Sequence, residues 1–265
     1  SPSTGSGHSS IQRIQEADMK ALKTEEIFPA EDIFYPESDG KPMADNTKQY
    51  EWIVIIKEGL EILFADDPDV FVAADLLWYP TEGDRHTRAA PDVMVALGRP
   101  KGHRGSYRQW EEGGIAPQVV FEILSPGNRA GEMSAKLKFY ERHGAEEYYV
   151  YDPDRNRFQV RMRLGNRLRL VESEQEWISP RLRIRFVPGD ELSVFRPDGE
   201  KFLSPLETDH RRRSERERAE LAEKEKEWER ERAELAEKEK EWERKRAGRM
   251  AEKLRELGID PEKLF

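Results

Sequence analysis

One sixteen-residue stretch of this chain is written twice. ERERAELAEKEKEWER fills 215–230 and again 229–244, a repeat of 14 residues, or two heptads. Pro and Gly are absent from 206 to 247, and Glu, Lys, Arg and Ala are strong helix formers. Too few apolar residues exist there to fold the segment back into a core, so it predicts one long helix over about 207–257. Leu221, Trp228, Leu235 and Trp242 fall seven apart and share one helix face. The companion position three residues along holds Lys224, Glu231 and Lys238, so the seam is apolar only once per heptad. That pattern fits either weak self-association into a homodimer or a solvated single helix held by i,i+4 charge pairs. Gly258 is placed to stop the helix, with Pro261 just beyond.

Hydrophobic residues make up 36% of the 265 and charged residues 37%, against ordinary values of about 45–50% and about 25%. Such a chain is not one uniform globule. We divide it into an irregular or disordered arm over 1–45, a core over 46–206 and the charged helical tail over 207–265. The net charge of −9 is uneven. Residues 11–98 carry 19 acidic and 8 basic side chains, and residues 99–206 carry 16 and 19. The basic surplus of the middle third leaves room for a nucleic-acid partner but not for a phosphate-binding surface over the whole chain. No cysteine is present, which excludes disulfides, cysteine-held zinc, iron–sulfur clusters and thiol nucleophiles. It also suits the reducing cytoplasm. No run approaches the roughly 18 apolar residues of a membrane helix. The opening SPSTGSGHSS has no apolar signal core and reads as a disordered lead or an expression scar.

Within the core, Trp52, Ile55, Ile56, Leu60 and Leu63 recur at helical spacing, with Asp45 as a candidate cap. Strands are predicted at 67–79, 90–97 and 117–124, with a loop at 81–88 and a long polar connection at 99–114. The third strand, PQVVFEIL, is almost wholly apolar and should be central. A helix follows at 131–144, closed by Gly144, then a strand at 146–152. FQVRMRL and RLRLVE, joined through GN, form a hairpin, and strands follow at 181–186 and 192–195. The order defines a mixed α/β sheet flanked by helices.

Asp92 follows Pro91 at the mouth of the second strand, and Glu122 lies near the end of the buried third. A carboxylate in so apolar a run is costly to bury unless it is paired, hydrogen-bonded or on a metal. Two carboxylates on neighbouring strands can hold Mg²⁺ or Mn²⁺, with water and a substrate phosphate completing the shell. A lysine beside them, such as Lys136 on the next helix, can stabilise developing phosphorane charge or position the attacking water. Each residue also has a plainer role open to it. Asp92 can be a turn former, Glu122 an arginine partner, and Lys136 a surface lysine. Asp75 is a candidate third acid near the metal, Glu58 a candidate acid from the first helix, and Tyr140 a packing residue with its hydroxyl near the site. Lys138 lies two residues, or about 200°, further round the helix than Lys136. His86, His103 and His143 lack metal-ligand spacing and read as surface residues.

APDV, then VVFEILSPGNR, then KLKFYERHG, then EEYYVYDP, resembles the Uma-two family of restriction-endonuclease-like proteins, within the PD-(D/E)xK nuclease superfamily. The resemblance runs from about residue 46 to 200, and LRELGIDPEKL resembles the usual close of such chains. It implies a restriction-endonuclease-like fold and Mg²⁺-dependent hydrolysis of DNA by Asp92, Glu122 and Lys136. Pro91-Asp92 matches PD, and Glu122 matches the acid of E-x-K. The lysine position of E-x-K holds Leu124. The family pattern K-x-x-x-Y-x-x-x-G moves that lysine to the helix, where Lys136, Tyr140 and Gly144 fit it.

Arg157, Arg161 and Arg163 alternate with apolar residues, as do Arg167 and Arg169, and then Arg181, Arg183 and Arg185. Period-two alternation predicts all of them on one sheet face. That face either tracks DNA phosphates or is solvated and offsets the acidic N-terminal third. The leading reading is therefore a metal-dependent DNA endonuclease with a helical tail. The alternatives are a catalytically silent nucleic-acid-binding or assembly protein on the same fold, and a core that regulates a tail built for oligomerisation.

Overall fold

The computed structural model describes residues 34–40, 42–171 and 175–258. Most of the arm expected over 1–45 lies outside them, as do Pro261 and the chain's last residues. The chain divides into two compact units between Phe202 and Leu203.

The first unit opens with helix α1 (Thr47–Leu63). Strands β1 (Val70–Ala74), β2 (Trp78–Tyr79), β3 (Val93–Leu97), β4 (Tyr107–Arg108) and β5 (Val119–Ile123) follow. Helix α2 (Ala130–His143) leads to β6 (Glu147–Asp152), the hairpin β7 (Arg157–Leu164) and β8 (Arg167–Val171), and the short strands β9 (Trp177–Ile178), β10 (Arg185–Val187) and β11 (Ser193–Phe195). The main sheet has the order β1-β3-β5-β6-β7-β8. Only the β5–β6 pair is parallel, and α2 is its crossover. Every residue of β5 is buried, as its apolar run predicts.

Alternation sends Val119, Phe121 and Ile123 to one face, against Trp52, Ile53, Ile56 and Leu60 of α1. Val120 goes to the other face, with Tyr140 of α2 and Tyr148. Glu122 shares the parity of Val120 and so stands on the α2 face.

Four expectations are corrected. The strand predicted over 67–79 breaks at Asp75, whose φ is +50°, and β2 leaves the main sheet to pair in parallel with β4. The polar connection at 99–114 is an ordered segment. Tyr107 is fully buried there, and its hydroxyl donates to the Ile115 carbonyl at 2.8 Å. Arg99 and Arg104 meet the buried Glu112, which lets so charged a run pack. The cap of α1 is Asn46, whose side chain accepts from the Gln49 N–H, and not Asp45. The strand predicted at 181–186 is short because Arg183 has φ +60°.

The arginines do not share a face. In the hairpin Arg163 stands opposite Leu168 and Arg161 opposite Leu170. Directly opposed residues lie on the same side, so the two-residue turn puts the odd-numbered arginines of β7 and of β8 on opposite sides.

The second unit is helix α3 (Pro205–Glu256). Ser204 and Glu207 form a capping box at its start, and Gly258 follows its end with φ +73°. None of its residues is buried. Leu221, Trp228, Leu235 and Trp242 are 66%, 70%, 65% and 56% exposed. Charge pairs four residues apart, such as Asp209–Arg213 and Glu241–Lys245, run along it. Among the described residues no helix is long and apolar enough to cross a membrane.

Candidate active site

The sheet register brings the acids together. Val93 pairs with Ala74 on one side and with Phe121 on the other. One residue further along, the same register opposes Asp92 to both Asp75 and Glu122. The Asp75 N–H donates to the Pro91 and Asp92 carbonyls at 3.1 and 3.3 Å, so β1 and β3 stay together past the end of β1. The Asp92 carboxylate accepts from the Ile123 N–H at 2.6 Å, locking it against the end of β5.

Helix α2 supplies the other two groups from successive turns. Lys136 Nζ donates to Glu122 Oε2 at 2.6 Å and to the Ala90 carbonyl at 3.1 Å. The Tyr140 hydroxyl donates to Glu122 Oε1 at 2.6 Å. Residues four apart lie above one another on a helix, and each reaches one oxygen of the same carboxylate. Tyr140 is thus both the packing residue expected and a direct partner of Glu122. Lys138 is exposed and stands outside the site. Leu124 packs beside the α2 cluster.

Burial pushes the Asp92 carboxyl well above its usual range, and the Glu122 charge adds to this. Lys136 and the Ile123 N–H oppose it only in part. Burial would lower the Lys136 amine, but the attraction of Glu122 and Asp92 outweighs it and holds the amine above its ordinary value. Burial, and then repulsion from Asp39, raises Asp75. Tyr140 is pushed up by burial and by Glu122, so it remains a donor.

Asp75 and Asp92 face a cleft of about 620 Å³ lined also by Lys136, Arg88, Asp45 and Asn128, among others, while Glu122 lies buried behind Lys136. Glu58 is not part of it: its side chain is half exposed and pairs with Lys57. The residue that α1 contributes is Gln49, which is 5% exposed. Its amide donates to the Ile123 carbonyl and accepts from the Asp45 N–H, both at 2.8 Å. The sequence carried a signal for it. Gln49, Trp52, Ile53, Ile56 and Leu60 follow one helical face, and a polar residue on such a face needs a partner. Ser125 donates to Asp45 and takes part in a turn with Asn128, closing the SPGN segment on the start of α1.

His86 lines the cleft. His143 is not the surface residue expected, for it packs on Phe139 and Trp78 and burial lowers its pKa. None of Arg157, Arg161, Arg163, Arg167 and Arg169 lines the cleft. Arg163 donates to the carbonyls of Tyr140, Glu141 and Ala145 at the end of α2, and Arg167 pairs with Glu141.

Among the described residues no three His, Cys, Asp or Glu side chains gather as a metal-holding group. Asp75, expected as a third metal acid, lines the cleft beside Asp92 and has φ +50° at the end of β1. Asp92 and Glu122 are hard oxygen donors that could hold a divalent cation, which would relieve their mutual repulsion.

A mixed sheet with helices on both faces, and a buried acid pair met by a helical lysine at the strand ends, defines a restriction-endonuclease-like α/β protein. The model of the Uma2 family, described as "Putative restriction endonuclease", matches residues 55–194. That is more than half of the chain, and the chain belongs to this family. Among solved structures it is similar to a crystal structure titled as a putative nuclease belonging to DUF820 from Anabaena variabilis ATCC 29413. The two share 18% identity over 58% of this chain and 70% of that one, with a TM-score of 0.35. No curated protein matches.

Proposed function

We propose that this protein is a metal-dependent endonuclease that hydrolyses DNA phosphodiester bonds in the cytoplasm. The observation that carries the reading is the 2.6 Å bond from Lys136 to Glu122. It gives the acid pair, from the helix, the cation that Leu124 cannot supply from the strand. Asp92 and Glu122 would hold Mg²⁺ or Mn²⁺, and a bound ion would supply Lewis-acid stabilisation and a more acidic water. Lys136 orients the attacking water or offsets charge on the phosphorane oxygens. Tyr140 fixes the second oxygen of Glu122 so that the carboxylate cannot rotate. Incubating the full chain with supercoiled plasmid and Mg²⁺ tests this. The wild type should nick the plasmid, whereas Glu122→Gln and Lys136→Met should not. Equal cleavage by all three sinks the assignment.

A second reading, a catalytically silent DNA-binding protein on the same fold, is favoured by one observation: both oxygens of Glu122 already accept hydrogen bonds. DNA binding by the wild type without cleavage at any Mg²⁺ or Mn²⁺ concentration would select it.

The proposal includes a second copy of the chain, associating weakly through the Leu221–Trp242 stripe of α3. Beside that stripe Arg218, Glu225, Arg232, Glu239 and Arg246 alternate in sign every seven residues. A copy offset by one heptad sets opposite charges together and places Leu against Trp. Lys224, Glu231 and Lys238 keep the association weak and salt-sensitive. Sedimentation at micromolar concentration and low salt should show a dimer, and a monomer there removes this part.

A further inference from the structure

We propose that Arg88 is the anchor for a substrate phosphate, gripping the nucleic-acid backbone beside the bond that is cut. This rests on the nuclease reading above.

The cleft is a poor host for a polyanion except at two points. Among the described residues Asp39, Asp45, Asp75, Asp92 and Glu132 line it, with Lys136 and Arg88 as the lysine and arginine charges. Lys136 is taken by Glu122. Among the described residues no acid forms an ion pair with Arg88. Its guanidinium donates to the Arg85 carbonyl at 2.8 Å. That partner is neutral, so the side chain is oriented with no acid bonded to it among the described residues. A guanidinium has five N–H donors in a fixed fork, enough to keep that contact and still meet a phosphate. An arginine so held is suited to bidentate phosphate recognition.

Its backbone is fixed to the reacting centre. Ala89 and the fully buried Trp78 exchange two backbone hydrogen bonds, at 2.8 and 3.3 Å. The next carbonyl, that of Ala90, accepts from Lys136. Pro91 and Asp92 follow directly. Arg88 and Asp92 are four residues apart, so their Cα atoms are at most about 14 Å apart. That reach suits the arginine to a phosphate beside the scissile one, with Lys136 serving the scissile phosphate itself. Its task is to set where along the strand the backbone lies. The hairpin arginines, which do not line the cleft, cannot do this.

The test is binding, read apart from cleavage. Full-length wild type, Arg88→Ala and Arg88→Lys are titrated against a fluorescein-labelled DNA duplex in EDTA. Anisotropy is followed from about 50 to about 200 mM NaCl. Loss of one phosphate contact lowers the slope of log K against log salt by about one unit, uniformly across sequences. Arg88→Ala should show that smaller slope and about tenfold weaker binding at the lowest salt. Arg88→Lys should keep the slope and lose part of the affinity, because it keeps the charge without the fork. If wild type and Arg88→Ala bind with the same affinity and slope, Arg88 is not the anchor and the nuclease reading stands. A loss of affinity with an unchanged slope marks a structural role and also overturns the inference. If the wild type binds no DNA, the inference falls, and the plasmid-nicking assay with Mg²⁺ decides the nuclease reading separately.

Discussion

Lys136 and Glu122 meet at 2.6 Å across the gap between α2 and β5, with the carboxylate 3% and the lysine side chain 20% exposed. Removing one member of a buried pair leaves the other uncompensated, at roughly 3–5 kcal/mol. Lys136→Met should fall near the lower end of that range because the amine is partly wet. Tyr140→Phe should cost about 1.5–3 kcal/mol, since it deletes a hydrogen bond to a charged, buried acceptor. Urea unfolding of each variant measures both losses. Adding Glu122→Gln to Lys136→Met should recover part of the first, and a double variant less stable than the single would contradict the pairing.

A divalent ion at Asp92 and Glu122 should stabilise the folded chain. At a hundred times its dissociation constant a ligand contributes about 2.7 kcal/mol. In a domain of this size that corresponds to roughly 5–10 °C in Tm. Thermal unfolding with increasing Mg²⁺ or Mn²⁺ should show the rise in wild type and lose it in Asp92→Asn. An equal rise in both would place the ion elsewhere.

Glu112 gives a pH signature away from the cleft. The Arg104 hydrogen bond, joined by that of Arg99, holds its carboxyl below the usual range although burial pushes the other way. A depressed folded pKa contributes stability above the unfolded value and loses it as pH falls through the folded value. Wild type should therefore exceed Glu112→Gln in Tm at about pH 6, and the gap should close on acidification towards about pH 3. A gap that is constant with pH would show that the charge of Glu112 is not what stabilises the segment.

Gly59 lies inside α1, where alanine would ordinarily add about 1 kcal/mol of helix propensity. A Cβ there would collide with the ring of Phe202. Overpacking of that kind costs about 1–3 kcal/mol, so Gly59→Ala should lower the urea midpoint. A higher midpoint would mean that the ring moves aside freely.

Local pattern carried much of the fold. The apolar run of β5, the spacing of α2 with its Gly144 stop, the GN hairpin and the charged helix α3 all follow from nearest-neighbour chemistry and periodicity. Elements whose stability comes from distant partners did not show. β4 exists because Tyr107 is buried among residues far along the chain, and Arg104 covers the Phe71 ring at 3.9 Å. The break at Asp75 likewise has no local marker, since neither Gly nor Pro stands there.

Which residues could do chemistry was legible along the chain: a carboxylate within an apolar strand, an acid at a strand mouth, and a lysine one strand-turn-helix away. Their residue types and chain positions sufficed, because burying charge is costly and the candidates are therefore few. Tertiary structure alone decided how they meet. Register set Asp92 against Glu122, the lie of α2 brought Lys136 and Tyr140 to opposite oxygens of one carboxylate, and Gln49 displaced Glu58 as the residue that α1 contributes. The hairpin register also split the arginines between two faces, while the cleft holds Arg88 beside Lys136. Such facts depend on parity across strands and on which side of a helix meets the sheet. Hydrogen bonds between segments far apart in the chain fix both, and no single segment's pattern encodes them.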